Sequence, residues 1–466
     1  MSISNIVPLK PFQSHIFILF LLLYLLSGCA YSISPATLTN GPIQLYDVHN
    51  RLLCQLHGQK SQLDCLAKNG TSRQFASQYI DYTVSELASD LHVSSDRLPS
   101  SALHISTTLD LDLQRRVLQK TQQYIASMAD THHMTNAAAI ILDYHNGAIR
   151  SLIGSLDSPT TDNPLNVVTQ KGRQIGSAFK PFVYATAFEQ GISPGEVVYD
   201  GPFSVGSPPY TPLNYDQKYH GYLSYRAALQ QNLNIPTLKL SLKTGFAALR
   251  QKALALGIKA ENLTPLEKGW YSASFGIMDV PLLDTTVAYG AMANGGIRIP
   301  PHTIEKISTS DGHIIYTVKP QGIRALSPEA AFMITDVMSD NTTRPPEESQ
   351  CSPYILYTTT AEQCKAGNQG SVRPAAVHSG ANDSLRDTLA VGYTSDLVAG
   401  TWTGNTDFLL LVNVSTLDGA PQLWHDSMLL AEANTPITPF PGAPSSIVKK
   451  TMSYSDLTTT DWYLAK

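Results

Sequence analysis

The alternation of apolar and polar residues predicts several β-strands along the chain. Apolar runs flank Asn146-Gly147 and predict a β-hairpin, because an Asn-Gly pair tolerates the positive φ angles of a tight turn. A second strand–turn–strand is predicted over 303–319, with Asp311-Gly312 at its turn. Strand-like patterns return later in three segments, 388–394, 396–404 and 408–414.

Helical spacing of apolar residues predicts helices between these strands. The predicted helices cover 77–91, 110–128, 177–190, much of 223–256, 281–294, 327–340 and 424–433. Strands towards both ends with helices between them predict a mixed α/β (α+β) domain with a largely antiparallel sheet. Residues 341–375 have neither periodicity and are expected to form a long polar insert.

Composition excludes several classes of protein. The chain has 466 residues, of which 43% are hydrophobic and 15% charged, so it can bury a core and wholesale disorder is excluded. The net charge is −5 and there is no dense Lys/Arg run, so we expect no nucleic-acid partner. A single long apolar run excludes a multipass membrane protein.

That apolar run, FILFLLLYLL at residues 17–26, is too short for a comfortable transmembrane helix but suits the core of a signal peptide. The following Leu26-Ser27-Gly28-Cys29 resembles the lipobox of bacterial lipoproteins, in which the cysteine is lipidated and becomes the mature N-terminus. We therefore predict a signal peptide over 1–28 and a lipid anchor at Cys29. An ordinary signal peptide and an uncleaved anchor are the alternatives, and all three imply an extracytoplasmic protein.

The other four cysteines fall into two pairs that are close in sequence. In an exported protein this spacing favours two disulfides that close short loops, Cys54–Cys65 and Cys351–Cys364. Zinc is the competing interpretation, but neither a flanking histidine nor a second CxxC supports it. We assign no metal and no cofactor.

The strongest local signal for chemistry is Gly176-Ser177-Ala178-Phe179-Lys180. If Ser177 opens a helix, Lys180 lies one turn further on the same face. A desolvated lysine has a lowered pKa and can accept the proton of a neighbouring hydroxyl, which makes the pair a candidate nucleophile and base. The tetrapeptide S-x-x-K is short, so a capping serine followed by a solvated lysine would look the same.

Wider context separates these two interpretations. Several stretches resemble, in order and spacing, the transpeptidase domain of bifunctional penicillin-binding proteins: GRQIGSAFKPFVYATAFEQGISP, Asn214-Tyr215-Asp216, ALQQNLNIPTLKL, AYGAMANGG and RDTLAVGYTSDLVAGTWTGN. The resemblance implies a penicillin-binding/serine β-lactamase-like fold, with an antiparallel sheet flanked by helices and a helical subdomain. It covers residues 103–441, which leaves a small β-rich region or linker over 29–102 and a tail over 442–466.

The resemblance also implies a role for each motif residue. Ser177 would be the acylated nucleophile and Lys180 its general base. The family's second motif, Ser-x-Asn, aligns with Asn232-Leu233-Asn234, so Asn234 is expected to hydrogen-bond the lysine and the substrate amide. Asn232 replaces the serine that relays a proton to the leaving amine, and an amide cannot relay a proton as a hydroxyl can.

The third motif, Lys-Thr/Ser-Gly, aligns with His378-Ser379-Gly380, followed by Ala381. The resemblance implies that Ser379 holds the substrate carboxylate and that Gly380 allows close backbone approach. The backbone N–H groups of Ala381 and Ser177 would form the oxyanion hole. The substrate peptide would pair along this strand edge.

His378 replaces a lysine of the family motif. A histidine titrates at about pH 6.5, so its charge is expected to assist binding and to be lost across roughly pH 6 to 8, lowering acylation. A neutral histidine with no catalytic part is the alternative.

Three functions follow from the resemblance. The first is a D,D-transpeptidase or carboxypeptidase acting on peptidoglycan stem peptides through a Ser177 acyl-enzyme. The second is a weakened penicillin-binding or sensor lipoprotein that binds peptide or β-lactam without cross-linking. The third, a β-lactamase, needs a means of activating water that we do not identify. Since roughly seventy residues lie between Cys29 and the matched region, too few for a typical large domain, a separate glycosyltransferase is an expected partner.

Overall fold

The computed structural model of the protein describes residues 41–56, 72–91, 98, 102–156, 165–170, 172–368, 370–382, 385–415, 417–454 and 457–465. The predicted signal peptide over 1–28, the lipidated Cys29 and the disulfide cysteine Cys65 lie outside these residues. Among the helices of the described ranges, we find none with both the length and the apolarity needed to cross a bilayer.

The helices of the described chain are α1 (Ser72–Asp90), α2 (Leu111–His132), α3 (Lys180–Glu189), α4 (Tyr225–Gln230), α5 (Asn234–Thr244), α6 (Phe246–Leu256), α7 (Thr264–Glu267), α8 (Leu282–Ala293), α9 (Pro328–Ser339), α10 (Pro346–Ser349), α11 (Ala361–Lys365) and α12 (Ala420–Ala431). Short 3₁₀ helices span Gly176–Phe179, Ala260–Leu263 and Tyr271–Phe275.

The strands are β1 (Ile43–Tyr46), β2 (Leu52–Leu56), β3 (Leu103–Thr107), β4 (Asn136–Asp143), β5 (Ala148–Ile153), β6 (Arg173–Gln174), β7 (Val197–Asp200), β8 (Gly221–Ser224), β9 (Asp279–Val280), β10 (Ile297–Arg298), β11 (Ile304–Thr309), β12 (Ile314–Thr317), β13 (Ile323–Arg324), β14 (Leu356–Tyr357), β15 (Val372–Arg373), β16 (Ala376–Ala381), β17 (Asp387–Tyr393), β18 (Val398–Gly404), β19 (Ile447–Tyr454) and β20 (Leu457–Leu464).

A five-stranded sheet in the order β16-β17-β18-β4-β5 lies at the centre of the domain, and every neighbouring pair is antiparallel. Both faces are covered, since alternate residues of a strand point to opposite faces. Ile140 of β4 belongs to the larger core, in which α8 packs on the sheet, and Ile141 belongs to a second core beneath α2 and α12. Sequence thus predicted the mixed α/β class and the β4–β5 hairpin correctly.

The helical subdomain forms around α3, which is apolar on all sides and buried over nearly its whole length. Helices α5, α6 and α9 pack against it. Because α3 begins at Lys180, this packing places the amine of the S-x-x-K motif at the boundary between the subdomain and the central sheet.

A second sheet joins parts of the chain that the predicted domain division separates. Its order is β12-β11-β3-β1-β2, and β1 pairs in parallel with β3. Strands on both sides of residue 102 therefore share one sheet, and β1 and β2 lie in the region predicted to be a small β-rich piece or a linker. The predicted strand–turn–strand over 303–319 is present as β11 and β12.

Two segments differ from their predictions. Residues 408–414, predicted as a strand, form a loop in which Phe408 and Asn413 have positive φ angles, of 62° and 53°. Arg386 Nη1 donates to the carbonyl of Phe408 at 2.6 Å, which fixes this backbone outside the sheet. Within the region predicted as a tail, Ile447–Tyr454 and Leu457–Leu464 pair as the antiparallel strands β19 and β20.

Candidate active site

The segment that carries Ser177 is a tight turn directly before α3. Residues Gly176–Phe179 form a 3₁₀ helix, and the Lys180 N–H donates to the carbonyl of Ser177. Side chains three residues apart eclipse each other in a 3₁₀ turn. The predicted pairing of Ser177 and Lys180 on one face is therefore consistent with this geometry.

Glycine is required beside the serine. Gly176 has a φ of 55°, and a Cβ there would lie 2.5 Å from the carbonyl oxygen of Ala381. On the facing strand, a Cβ at Gly380 would lie 2.5 Å from the carbonyl oxygen of Ile175 and 2.9 Å from the nitrogen of Ser177. Only residues without side chains let β16 pass this close to the nucleophile segment.

The amine of Lys180 is fully buried and is held by Asn232. Its Nζ donates to the backbone oxygen of Asn232 at 2.5 Å and to the side-chain Oδ1 at 2.7 Å. Asn232 lies between α4 and α5 with a φ of 55°, a left-handed conformation that asparagine tolerates better than most residues. This backbone turn is what aims both oxygens at the amine.

Asn234 occupies a different place from the one expected. Its Nδ2 donates to the carbonyl of Leu213 at 2.8 Å, and the lysine contact expected of it is made by Asn232 instead. The reason is local: Asn234 is the first residue of α5, and its backbone N–H donates to Asn214 Oδ1 at 2.9 Å.

Asn214 is a positioning residue to which sequence analysis gave no role. It is buried, and its Oδ1 also accepts from the N–H of Ile235 at 3.2 Å, so it caps α5 directly after the second motif. Its Nδ2 donates to Asp200 Oδ2 at 2.8 Å. The signal was its place in the Asn-Tyr-Asp stretch of the family resemblance.

The third motif lies on β16, the edge strand of the central sheet. Ser379 is half-buried and pairs in register with Ala390 of β17. Ala381, at the end of the strand, is also half-buried. The edge that would receive a peptide therefore runs past Ser177.

His378 is buried on this strand, and its Nε2 has no hydrogen-bond partner within the described structure. Burial lowers the pKa of His378 well below its usual 6.5, and the positive charges of Lys180 and Arg344 lower it further. The side chain is therefore neutral at neutral pH. The midpoint expected across pH 6 to 8 is wrong, because both burial and charge act against the protonated form.

The polar insert before β16 reaches the third motif. Tyr354 is buried, and its hydroxyl lies 2.6 Å from Ser379 Oγ. The guanidinium of Arg344 lies 4.7 Å from the centre of the Tyr354 ring. The disulfide predicted between Cys351 and Cys364 is present and closes the loop that carries this tyrosine. Sequence offered no signal for these contacts, because the insert has no periodicity from which to place its side chains.

Cys54 lies on β2, is buried and is disulfide-bonded. Its predicted partner, Cys65, is outside the described residues, so the pairing stays a prediction.

The site as a whole has a serine and a buried lysine on one turn, faced by an edge strand, which is an arrangement suited to acyl transfer through serine. The family model described as "Penicillin binding protein transpeptidase domain" matches residues 137–393, more than half of the chain. The chain belongs to this family of serine acyltransferases.

Among curated proteins, penicillin-binding protein 1A of Neisseria meningitidis is 28% identical over 281 residues, which cover 58% of this chain and 32% of that protein. The chain thus spans about a third of the length of the curated relatives that it matches.

Solved structures share the fold. PonA1 of Mycobacterium tuberculosis, in complex with penicillin V, has a TM-score of 0.63 and 22% identity. The matched region covers 79% of this chain and 96% of the solved PonA1 chain. Penicillin-binding protein 1A of Haemophilus influenzae has a TM-score of 0.67 at 14% identity, covering 91% of this chain and 98% of that one. The predicted fold class is confirmed.

Proposed function

We propose that the protein is a D,D-transpeptidase or carboxypeptidase that acts on D-Ala-D-Ala stem peptides through an acyl-enzyme on Ser177. The observation that carries this proposal is the buried Lys180 amine, held 2.7 Å from Asn232 Oδ1 and one 3₁₀ turn after Ser177. β-Lactams would acylate the same serine.

In this mechanism the Ser177 hydroxyl attacks the carbonyl of the penultimate D-Ala and its proton passes to the Lys180 amine. The backbone N–H groups of Ser177 and Ala381 donate to the oxyanion that forms. The C–N bond then breaks, and the terminal D-Ala leaves with a proton returned from Lys180, since the Asn232 amide cannot relay one. An amine or water finally attacks the acyl-enzyme and releases Ser177.

The substrate would bind along strand β16, which carries the third motif. The stem peptide would add to the free edge of β16, where main-chain hydrogen bonds supply affinity. Ser379 would donate to the terminal carboxylate, and Asn234, half-buried at the start of α5, would contact the substrate amide.

Two features of the site favour a second candidate, a binding or sensor protein that acylates slowly. Asn232 stands where a hydroxyl would relay the proton, and His378 is neutral where the family motif has a charged lysine. Both would slow acylation and leave the strand edge that recognises a β-lactam in place.

The experiment is a time course of fluorescent penicillin labelling, followed by intact-mass detection of the adduct. Rapid, stable labelling supports the transpeptidase or carboxypeptidase, and slow or absent labelling supports the sensor. Transient labelling would indicate a β-lactamase. Ser177→Ala should abolish the adduct. The melting temperature should change by only about a few degrees, because one hydroxyl adds little stability. An adduct that persists in this variant overturns the assignment of Ser177.

We further propose that the protein is exported and anchored to a membrane through Cys29, with the 103–441 region as its catalytic domain. Glycan strands would come from a separate glycosyltransferase. Metabolic labelling with a fatty acid, compared between the full chain and Cys29→Ala, tests the anchor, and equal labelling of both would reject it.

A further inference from the structure

Four exposed tyrosines lie on β7, on β8 and on the loop that joins these two strands. They are Tyr199, Tyr215, Tyr219 and Tyr222, which expose between 45% and 69% of their surface, and together they are called the tyrosine surface. Over residues 199–222, all of which the structure describes, Leu213 is the only other large hydrophobic side chain that is exposed. Exposed aromatic rings grouped on one segment add little to the core and are open to a ligand.

Tyr199 and Tyr222 form a pair of rings that is ordered before any ligand binds. They are cross-strand partners in the antiparallel β7–β8 pair, and their ring centres lie 4.8 Å apart. The amine of Lys239 donates to the carbonyl of Tyr199 at 2.7 Å and lies 5.4 Å from the centre of its ring. A tyrosine has few rotatable bonds, so a ligand that packs on this pair loses little affinity to ordering of the side chains.

A buried carboxylate holds the loop that carries Tyr215 and Tyr219. Asp200 Oδ2 accepts from the Asn214 side chain at 2.8 Å and from the backbone N–H of His220 at 2.9 Å, and it lies 2.8 Å from His220 Nδ1. Tyr215 directly follows Asn214, and Tyr219 directly precedes His220. Both exposed rings are therefore attached next to a fixed point of the backbone.

The same loop is bonded to the second motif. Asn214 Oδ1 accepts from the backbone N–H of Asn234 at 2.9 Å, and the Asn234 side chain donates to the carbonyl of Leu213 at 2.8 Å. Asn234 is the residue proposed to contact the substrate amide. The tyrosine surface thus adjoins the place where the stem peptide would lie, and a stem peptide is attached to a glycan strand at the end opposite its D-Ala-D-Ala.

The chemistry of this surface suits a neutral sugar. One face of an N-acetylated sugar ring presents C–H groups, which pack on the electron-rich face of an aromatic ring, while its hydroxyls can hydrogen-bond the phenol groups. The two carboxylates of the loop, Asp200 and Asp216, both contact His220, at 2.8 and 3.2 Å. Because these charges are matched within the loop, the surface has no excess of carboxylate charge with which to attract a cationic partner.

We propose that the tyrosine surface binds the glycan strand to which the stem peptide is attached. The Tyr199–Tyr222 pair receives the C–H faces of the sugars, and Tyr215 and Tyr219 extend the surface towards the second motif. The inference rests on the proposed function, since that function brings a glycan strand to this part of the molecule. It gives the chain a way to hold a polymeric substrate that does not depend on the reacting peptide.

The test uses a soluble glycan without a peptide, the β-1,4-linked N-acetylglucosamine hexamer. Its dissociation constant is measured by isothermal titration calorimetry for the wild type, Tyr215→Ala and Tyr222→Ala. The control is Leu409→Ala, at an exposed apolar residue outside the surface. Each tyrosine variant should weaken binding about fivefold to tenfold, because loss of a contacting aromatic ring is costly, and the control should change it by less than about twofold. If Tyr222→Ala does not fold, as judged by its melting curve, Tyr222→Leu removes the ring and keeps apolar bulk on β8.

Several outcomes would overturn the inference. These are equal affinities of the wild type and the tyrosine variants, and no binding of the hexamer by the wild type at millimolar concentration. A D-Ala-D-Ala pentapeptide whose binding weakens as much as that of the hexamer would assign the surface to the peptide, and a dimer lost in the variants would assign it to a second copy.

Acylation of the wild type by benzylpenicillin is measured in parallel to separate this inference from the proposed function. Acylation without binding of the hexamer rejects the inference alone. Binding of the hexamer at the tyrosine surface without acylation rejects the proposed function and supports a sugar site on this chain.

Discussion

At Asn232, one residue supplies both a backbone turn and a side-chain acceptor. The φ angle of 55° turns its carbonyl towards Lys180, and the side-chain Oδ1 accepts from the same amine. A residue that replaces asparagine here must therefore satisfy two separate requirements, one conformational and one chemical.

These requirements can be measured separately with Asn232→Gly and Asn232→Ala. Both variants lose the Oδ1 acceptor that holds the Lys180 amine in place, so both should acylate more slowly, by about tenfold for the loss of one hydrogen bond. Only the alanine variant should also lose about 1 kcal/mol of the free energy of unfolding, because its Cβ is strained in the left-handed backbone conformation. Urea denaturation and penicillin labelling check the two effects, and equal stabilities would contradict the backbone argument.

The neutral state of His378 has a consequence for stability below neutral pH. Its folded-state pKa lies below the unfolded value near 6.5, so the unfolded chain binds more protons between those two values. The free energy of unfolding must therefore decrease as the pH falls below about 6.5. Well above that pH, His378 is neutral in both the folded and the unfolded chain, so it adds no pH dependence to the free energy of unfolding.

We expect His378→Gln to lose less stability than the wild type between pH 7 and pH 5. The measurement is the urea midpoint at both pH values, with the exposed His313→Gln as a matched control. Acylation rates of the wild type and of His378→Gln should run parallel from pH 6 to 8. A stability loss that is the same in all three proteins would show that His378 is protonated in the folded state as in the unfolded one.

Among the elements, the insert depends on its disulfide more than on its own secondary structure. Its helices α10 and α11 are single turns, and β14 and β15 have two residues each. Short elements of this kind are marginal without tertiary support. The bond between Cys351 and Cys364 closes a segment with a sequence separation of 13.

The double variant Cys351→Ser/Cys364→Ser should therefore open the insert locally while the central sheet stays folded. We expect faster limited proteolysis between residues 351 and 364. Penicillin acylation should also slow, because Tyr354, which contacts Ser379 of the third motif, lies inside the loop. Mass mapping of the first cleavage site is the measurement. Unchanged cleavage at this segment would mean that packing alone holds the insert.

How far sequence can predict an element depends on whether its pattern is local. The β4–β5 hairpin was predictable, because its alternation and its Asn-Gly turn are local signals. The apolar run FLLLVNV at residues 408–414 also favours a strand locally, but Arg386 binds its backbone and the Arg173 guanidinium lies 3.8 Å from the centre of the Phe408 ring. Those partners come from distant parts of the chain, which a local pattern does not contain.

The candidate site divides in the same way. The spacing of Ser177 and Lys180 is local, and it was recognisable. Which asparagine holds the lysine depends on one positive φ angle and on the start of α5, and the Tyr354 contact depends on an insert without periodicity. Such contacts are set by tertiary structure.

At the scale of the whole molecule, the C-terminal hairpin is bound to the part of the subdomain that leads into the second motif. Asp461 of β20 is buried and accepts from Arg226 of α4 through both oxygens, at 2.6 and 2.7 Å. Arg226 also bonds Asp336 of α9 and Asp340, at 2.5 and 3.1 Å. The hairpin thus completes a network that joins three parts of the chain.

Asp461→Ala should lower the free energy of unfolding by about 1 to 3 kcal/mol, less than the loss of a sole buried partner, because Asp336 and Asp340 still face the arginine. Urea denaturation measures this difference, and Thr460→Ala, an exposed neighbour on the same strand, is the control. A difference from the control of under about 0.5 kcal/mol would mean that the hairpin adds no stability through this pair.

The position of β16 at the edge of the central sheet also bears on how copies of this protein behave towards one another. A long open edge strand recruits strands of other chains and leads to aggregation. Here the nucleophile segment packs against Gly380, and Arg344 donates a hydrogen bond to the carbonyl of Val377. The six-residue strand is therefore contacted at two points. A strand from a second copy would have to displace both contacts to pair along the whole edge. The same contacts that shape the site therefore protect the protein from edge-to-edge self-association at high local concentration.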